Sequence, residues 1–337
     1  YAMAENAYRH HLGVPIDKHQ QEMGRLFSRF TEVAEKSIHA WYPKKRTAEE
    51  IASPSASNRF VAWPYTKYMN AMNQINQGAA IIIMSETRAM RLGIDRDKFI
   101  YLHGVADTIE KPLSTRANFY SSDAMSIMAE QVFLDSDLSM SDISLIDFYS
   151  CFPSAVEFAR DVFRVAKDDP RPLTVTGGLP FHGGAGNNYV MNSIASMVER
   201  LREYPDSFGL VTANGGYFSK HSAGIYSTAR RKTSWSRTPP EKYQTKIDSV
   251  PDVPFTETPN GDALVETYTV LFDRENRPSQ GLVVGRLGKS FNAQNCPRFF
   301  SVVEGDSLFL ESMTRQDMIG ERGRVYLKDG LNRFRFL

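Results

Sequence analysis

One histidine set among five glycines is the most chemically suggestive feature of the sequence: Thr176-Gly177-Gly178-Leu179-Pro180-Phe181-His182-Gly183-Gly184-Ala185-Gly186-Asn187-Asn188-Tyr189. Glycine lets backbone approach a ligand closely and reach positive φ. Val190, Met191, Ile194, Met197, Val198 and Leu201 then fall on one face of a helix that Asn187 or Asn188 caps. A helix start offers unpaired N–H groups and a positive dipole end, which favour an anion or a developing oxyanion. Histidine there transfers protons near neutral pH or holds a nucleophile ionised. The alternative is a tight turn with a capping histidine; the glycine frame favours function.

Two further stretches join it. Asp147-Phe148-Tyr149-Ser150-Cys151-Phe152-Pro153-Ser154 runs from a strand end into a helix, where α/β folds place ligands. Cys151 is a nucleophile if a base or helix terminus lowers its pKa, and otherwise a buried small hydrophobe, the commoner fate. In Thr212-Ala213-Asn214-Gly215-Gly216-Tyr217-Phe218-Ser219-Lys220-His221, Asn214 is a potential donor and the glycine pair a potential cavity lining. A plain hairpin turn is an equal reading. His10, His11, His19, His39 and His103 show no metal-ligand spacing, so no metal is expected. No phosphate loop, dinucleotide fingerprint or Gly-x-Ser-x-Gly elbow occurs.

The elements that must position these residues alternate. Strands are predicted at Gly78–Met84 (apolar throughout, as if covered on both faces), Phe99–Val105, Ser144–Phe148, Phe208–Thr212 and Ser222–Thr228. Helices are predicted at Gln20–Glu35, Ser85–Leu92, from Ser122, at Ser154–Val165 and from Tyr189. This pattern favours a layered α/β domain. From Arg230 the style changes. Pro239, Pro240, Pro251, Pro254 and Pro259 read as an extended linker, and five short β-type runs follow, which suggest a small barrel or sandwich.

The 337 residues suit two packed units. Lys+Arg number 40 against Asp+Glu 39, and residues 231–337 carry 16 against 14, which argues against a nucleic-acid or anionic-membrane surface. Two cysteines exclude a disulfide scaffold. No apolar run spans a bilayer and no signal peptide is visible, so the expected location is cytoplasmic. The opening Tyr1-Ala2-Met3-Ala4 suggests an upstream segment.

In this order, the three stretches resemble the C-terminal half of the thiolase superfamily, closest to the sterol-carrier-protein type. Gly177–Gly183 resembles the family's glycine-rich Gly-His-Pro segment. Tyr149-Ser150-Cys151-Phe152 resembles its Asn-Glu-Ala-Phe or His-Asp-Cys-Phe motif, and Thr212–Gly216 the segment carrying a second cysteine. The β-region is similar to the OB-like C-terminal domain of thiolase-like proteins type 1. The resemblance implies a layered α/β/α/β/α body with an incomplete first half (residues 1–95), a second half (96–229), a Pro-rich linker (230–259) and an all-β OB-like barrel (260–337). It implies a homodimer and acyl transfer on a coenzyme A thioester, acyl-CoA or CoA being the ligand and no separate cofactor being needed. His182 and Tyr149 would be catalytic. Cys151, Phe152, Gly183, Gly184, Asn214, Gly215 and Gly216 would contact the substrate, and the His182 ring would face a pocket admitting a pantetheine arm. The sequence departs from the family in two places: the second cysteine position holds Thr212, Ala213 or Asn214, and Tyr149 replaces the residue that positions an oxyanion-hole water. The nucleophilic cysteine would lie upstream of Tyr1. The alternative is a non-catalytic acyl-CoA-binding or scaffolding homologue.

Overall fold

The computed structural model describes residues 1–289, 291 and 296–337. The chain opens with α1 (Ala2–His11), α2 (Ile16–Ala34) and α3 (Ala48–Ala52). α2 turns Met23, Phe27, Phe30 and Ala34 inward at intervals of three and four, the stripe that a 3.6-residue turn lays on one face. A capping box starts α3: Thr47 Oγ1 accepts from the Glu50 N–H at 3.1 Å, and Glu50 Oε2 from the Thr47 N–H at 2.7 Å. The short hairpin β1 (Phe60–Ala62) and β2 (Tyr65–Thr66) follows, then α4 (Glu86–Arg91).

The body is built by β3 (Tyr101–Ile109), α5 (Asp123–Ser136), β4 (Ile143–Asp147), α6 (Pro153–Val162), α7 (Tyr189–Glu203), β5 (Phe208–Gly215) and β6 (Lys220–Ser227). Its sheet has the order β3-β6-β5-β4. β4 and β5 run parallel, which requires the long crossover that carries α6, the glycine-rich segment and α7. Strand alternation sorts the core into two layers. Ile146, Leu210 and Ile225 join the core cluster that also holds the buried residues of α2, α5 and α6, whereas Leu145, Val211 and Tyr226 cluster with Met197 and Leu201 of α7.

The C-terminal unit comprises α8 (Pro240–Asp248), β7 (Gly261–Phe272), β8 (Pro278–Leu287), β9 (Arg298–Val303), α9 (Ser307–Ser312), β10 (Arg322–Lys328) and β11 (Leu331–Phe336). Strands pair in the order β7-β8-β9-β11-β10, and β10 returns to β7, closing a five-stranded barrel. β9 and β11 are parallel, and α9 spans the β9–β10 connection, as an OB-like barrel requires. Its core includes Val265, Tyr268, Val283, Phe299, Val325 and Phe334.

Arg298 clamps barrel to body. Its fully buried guanidinium donates to both carboxylate oxygens of Glu266, at 2.7 and 2.6 Å. It also donates to the carbonyls of Leu113, Ser114 and Arg116, at 3.2, 3.2 and 2.7 Å, and lies over the Phe119 ring. Such a buried charge is tolerated because every face of the fork is hydrogen-bonded. α1 adds to the clamp: Asn6 Nδ2 donates to the Tyr268 carbonyl at 2.8 Å, and Thr267 Oγ1 to the Met3 carbonyl at 2.6 Å.

Two expectations need correction. Gly78–Met84 forms no strand; Ile82 and Ile83 are each 85% exposed, because no described strand lies alongside to pair with them. The 230–259 segment is not wholly extended, since α8 begins at Pro239-Pro240, where a missing N–H costs nothing, and buries Tyr243 and Ile247. β1 is joined to the barrel, Ala62 pairing with Leu271 of β7.

Candidate functional site

Asp147, at the end of β4, organises the ground beneath the glycine-rich segment. It is fully buried, and its carboxylate accepts from Thr174 Oγ1 (2.9 Å), the Val175 N–H (2.9 Å), Ser193 Oγ (2.7 Å) and Tyr189 Oη (3.1 Å). Burial raises its pKa above the ordinary carboxylate value. Asp147 and Tyr189 were not singled out by sequence reasoning, although Asp147 stands at the strand end where ligands gather.

Tyr189 joins the two residues expected to be catalytic. Tyr149 and His182 both pack edge-on against its ring, at centroid distances of 5.6 and 6.0 Å. Tyr149 is half-buried; its N–H donates to Thr212 Oγ1 at 2.9 Å, and burial pushes its hydroxyl up to about 12. The His182 backbone is tied down: its N–H donates to the Gly178 carbonyl at 2.8 Å, and its carbonyl accepts from the Trp41 N–H at 3.0 Å and Gln77 Nε2 at 2.8 Å. Its ring is fully buried, and neither ring nitrogen has a hydrogen-bond partner. Burial lowers its pKa to about 4, so the imidazole is neutral at pH 7.

The expected pantetheine-wide opening at this ring is therefore not what the structure shows. The ring is enclosed, and the cleft described below does not touch it. The reason lies in the glycines. Gly177 (φ +106°) brings the segment onto Ala34 of α2, and Gly183 (φ +108°) onto Ile75, so residues 30–77 close over the loop. Gly184 lies over Leu179, and its N–H donates to the Met72 carbonyl at 2.8 Å.

Cys151 is also enclosed, and burial pushes its thiol up to about 12, the state of a buried small hydrophobe rather than a nucleophile. Phe152 stacks between Tyr1 (4.4 Å) and Tyr65 (5.2 Å). Ser150 Oγ accepts from the Leu179 N–H at 3.1 Å, a purely local support.

Asn214 and Gly215 stand apart from this group and line a cleft of about 570 Å³. Its walls come from β3 (Asp107, Thr108), the β5–β6 hairpin (Lys220, His221) and α8 (Glu241, Gln244). Both amide atoms of Asn214 are buried on the α5-facing side of the sheet, without a partner among the described residues. Opposite, His221 Nε2 faces the Phe218 carbonyl at 3.2 Å while Nδ1 has no partner, and burial lowers its pKa to about 4. Arg237 pairs with Asp107 at the rim, leaving Lys220 exposed there. Gly216 (φ +58°) makes the turn of the hairpin rather than a wall of the cleft. Gln244 and Glu241 were invisible from sequence because they arrive on the segment read as an extended linker.

A family model, the thiolase-like protein type 1 additional C-terminal domain, matches residues 242–330, which cover most of α8 and the barrel as far as the end of β10. The crystal structure of a monomeric SCP2-thiolase like protein type 1 from Mycobacterium smegmatis superposes with a TM-score of 0.92 at 37% identity, covering all of this chain and 72% of that one. The chain belongs to the thiolase-like protein type 1 family. An Ltp2-ChsH2(DUF35) aldolase shares the fold at lower similarity: TM-score 0.54, 21% identity, 68% of this chain and 63% of that one. No curated protein matches. Among the described residues no helix is long and apolar enough to cross a membrane.

Proposed function

We propose that this thiolase-like protein type 1 binds a coenzyme A thioester and does not turn it over. The observation that carries the reading is Asn214. It stands in the segment where the resemblance places a second catalytic cysteine, beside the cleft, and its amide is buried on the α5-facing side of the sheet with both hydrogen-bonding atoms unused among the described residues. A buried amide without partners is costly, and a thioester carbonyl or pantetheine amide that reaches that side of the sheet supplies what is missing. The cleft volume suits a small ligand. Lys220 at its rim offers charge to a phosphate.

The groups needed for turnover are poorly set. A histidine with a pKa near 4 is a weak base at neutral pH, and Cys151 is a protonated, enclosed thiol. We take the chain to be a monomer like its M. smegmatis relative, in place of a homodimer. We place it in the cytoplasm, where buried thiols such as Cys151 stay reduced.

Titration calorimetry with acetyl-CoA tests the reading, with thiolysis and condensation assayed on the same sample. Heat of binding without product supports it; product formation, or no binding of CoA or acetyl-CoA, overturns it. A second reading, acyl transfer with a nucleophilic cysteine from residues preceding Tyr1, is favoured by one observation: both His182 ring nitrogens are unpaired, as a base awaiting a thiol would be.

A further inference from the structure

Three buried ionisable side chains lie outside the site described above. Glu5 on α1, His19 on α2 and Glu157 on α6 converge at 0%, 2% and 3% exposure. His19 Nε2 is 2.5 Å from Glu5 Oε1 and 3.9 Å from Glu157 Oε2, and one donor atom from each residue lies within 4.8 Å of the others. Glu5 Oε2 is held by the Tyr65 hydroxyl at 2.7 Å, itself 2.7 Å from Ser154 Oγ. Glu157 Oε2 is buried, faces the imidazole and has no hydrogen-bond partner.

Two carboxylates this close cannot both stay ionised away from water, so without a cation Glu5 and Glu157 must share a proton, and Glu157 Oε2 still faces the imidazole at 3.9 Å. A divalent cation removes the conflict, because two carboxylates and a neutral imidazole around it sum to zero charge. It also gives Glu157 Oε2 a partner. Imidazole with carboxylates suits Zn²⁺, whose ligands at about 2.0–2.2 Å place donor atoms roughly 3–3.5 Å apart. That spacing falls between the 2.5 and 3.9 Å already present.

We propose that Glu5, His19 and Glu157 form a structural site for a first-row divalent cation, Zn²⁺ foremost, which ties α1 and α2 to α6. Tyr65 is the outer-sphere partner that orients Glu5. The sequence expectation of no metal-ligand spacing at His19 missed the cluster because its members lie 14 and 138 positions apart, on three different helices.

The test uses the full chain, purified without chelator or polyhistidine tag, with metal content measured by mass spectrometry. The chelator-stripped protein is then titrated with ZnCl₂ and with MnCl₂ while its Tm is followed. The expected result is about one Zn²⁺ per wild-type chain, a Tm that rises on adding ZnCl₂ to stripped protein, and loss of both in Glu157→Gln. A metal-free wild type whose Tm ignores both salts overturns the proposal, as does a Glu157→Gln chain that binds Zn²⁺ as tightly as wild type. Should that variant fail to fold, the wild-type titration decides alone.

Discussion

Asn214 and His221 stand directly opposite each other in the antiparallel register of β5 and β6, and both line the same cleft. Opposed residues share one face of a sheet, so two buried polar side chains with unused hydrogen-bonding atoms stand together on the α5-facing side, behind the Ala213 and Ser222 face that the cleft exposes. Asn214→Ala removes one of them with little effect on the hairpin. We expect acetyl-CoA binding to weaken about tenfold, the worth of one hydrogen bond in a dry site, with an unchanged Tm. Calorimetry reads the first and differential scanning fluorimetry the second.

The glycine-rich segment is held by contact rather than by sequence preference. A Cβ on Gly177 would lie 2.5 Å from Ala34 Cβ and 2.6 Å from its Cα, at a φ of +106°. Gly177→Ala should therefore cost about 3 kcal/mol or more. Gly186→Ala meets nothing within 4 Å and should cost only about 1 kcal/mol for its positive φ. Urea unfolding of the two variants compares them directly.

Those two glycines also mark the limit of what the sequence disclosed. The alternation of strands and helices from Phe99 to Thr228 was legible because period and burial coincide there, as in β5 and α7. The barrel was legible as short β-runs separated by Asn260-Gly261 and Asp329-Gly330 turns. What was not legible depended on distant partners. Gly78–Met84 has the composition of a buried strand, but composition does not say whether a neighbour is present. His182 sits in a frame that reads as a ligand cradle, yet the same glycines let α2 and residues 71–77 close over it. Glu5, His19 and Glu157 carry no motif at all, because helix packing alone assembles them.

His182 and His221 are both buried with pKa values lowered to about 4, against an ordinary value near 6.5. Each depressed histidine stabilises the fold fully above pH 6.5, and that stability is lost as pH falls toward 4. His182→Gln removes one of the two titrations. Between pH 7 and pH 5 its stability should fall by about 2 kcal/mol less than that of wild type, measured by urea unfolding at the two pH values.

Arg298 carries the junction between body and barrel. Arg298→Ala strands the Glu266 carboxylate and leaves the carbonyls of Leu113, Ser114 and Arg116 without their donor. A loss of about 3–5 kcal/mol is expected. Arg335→Ala breaks an exposed pair with Glu304 and should change stability little. Thermal melts of the two variants test the contrast.

The most direct measurement incubates the full chain with excess acetyl-CoA, follows the bound fraction by equilibrium dialysis, and records the intact protein mass. The account predicts saturable retention of acetyl-CoA on a protein of unaltered mass, with no free CoA accumulating beyond the protein-free rate. A mass gain of one acetyl group, or retention no greater than that of a denatured control, contradicts it.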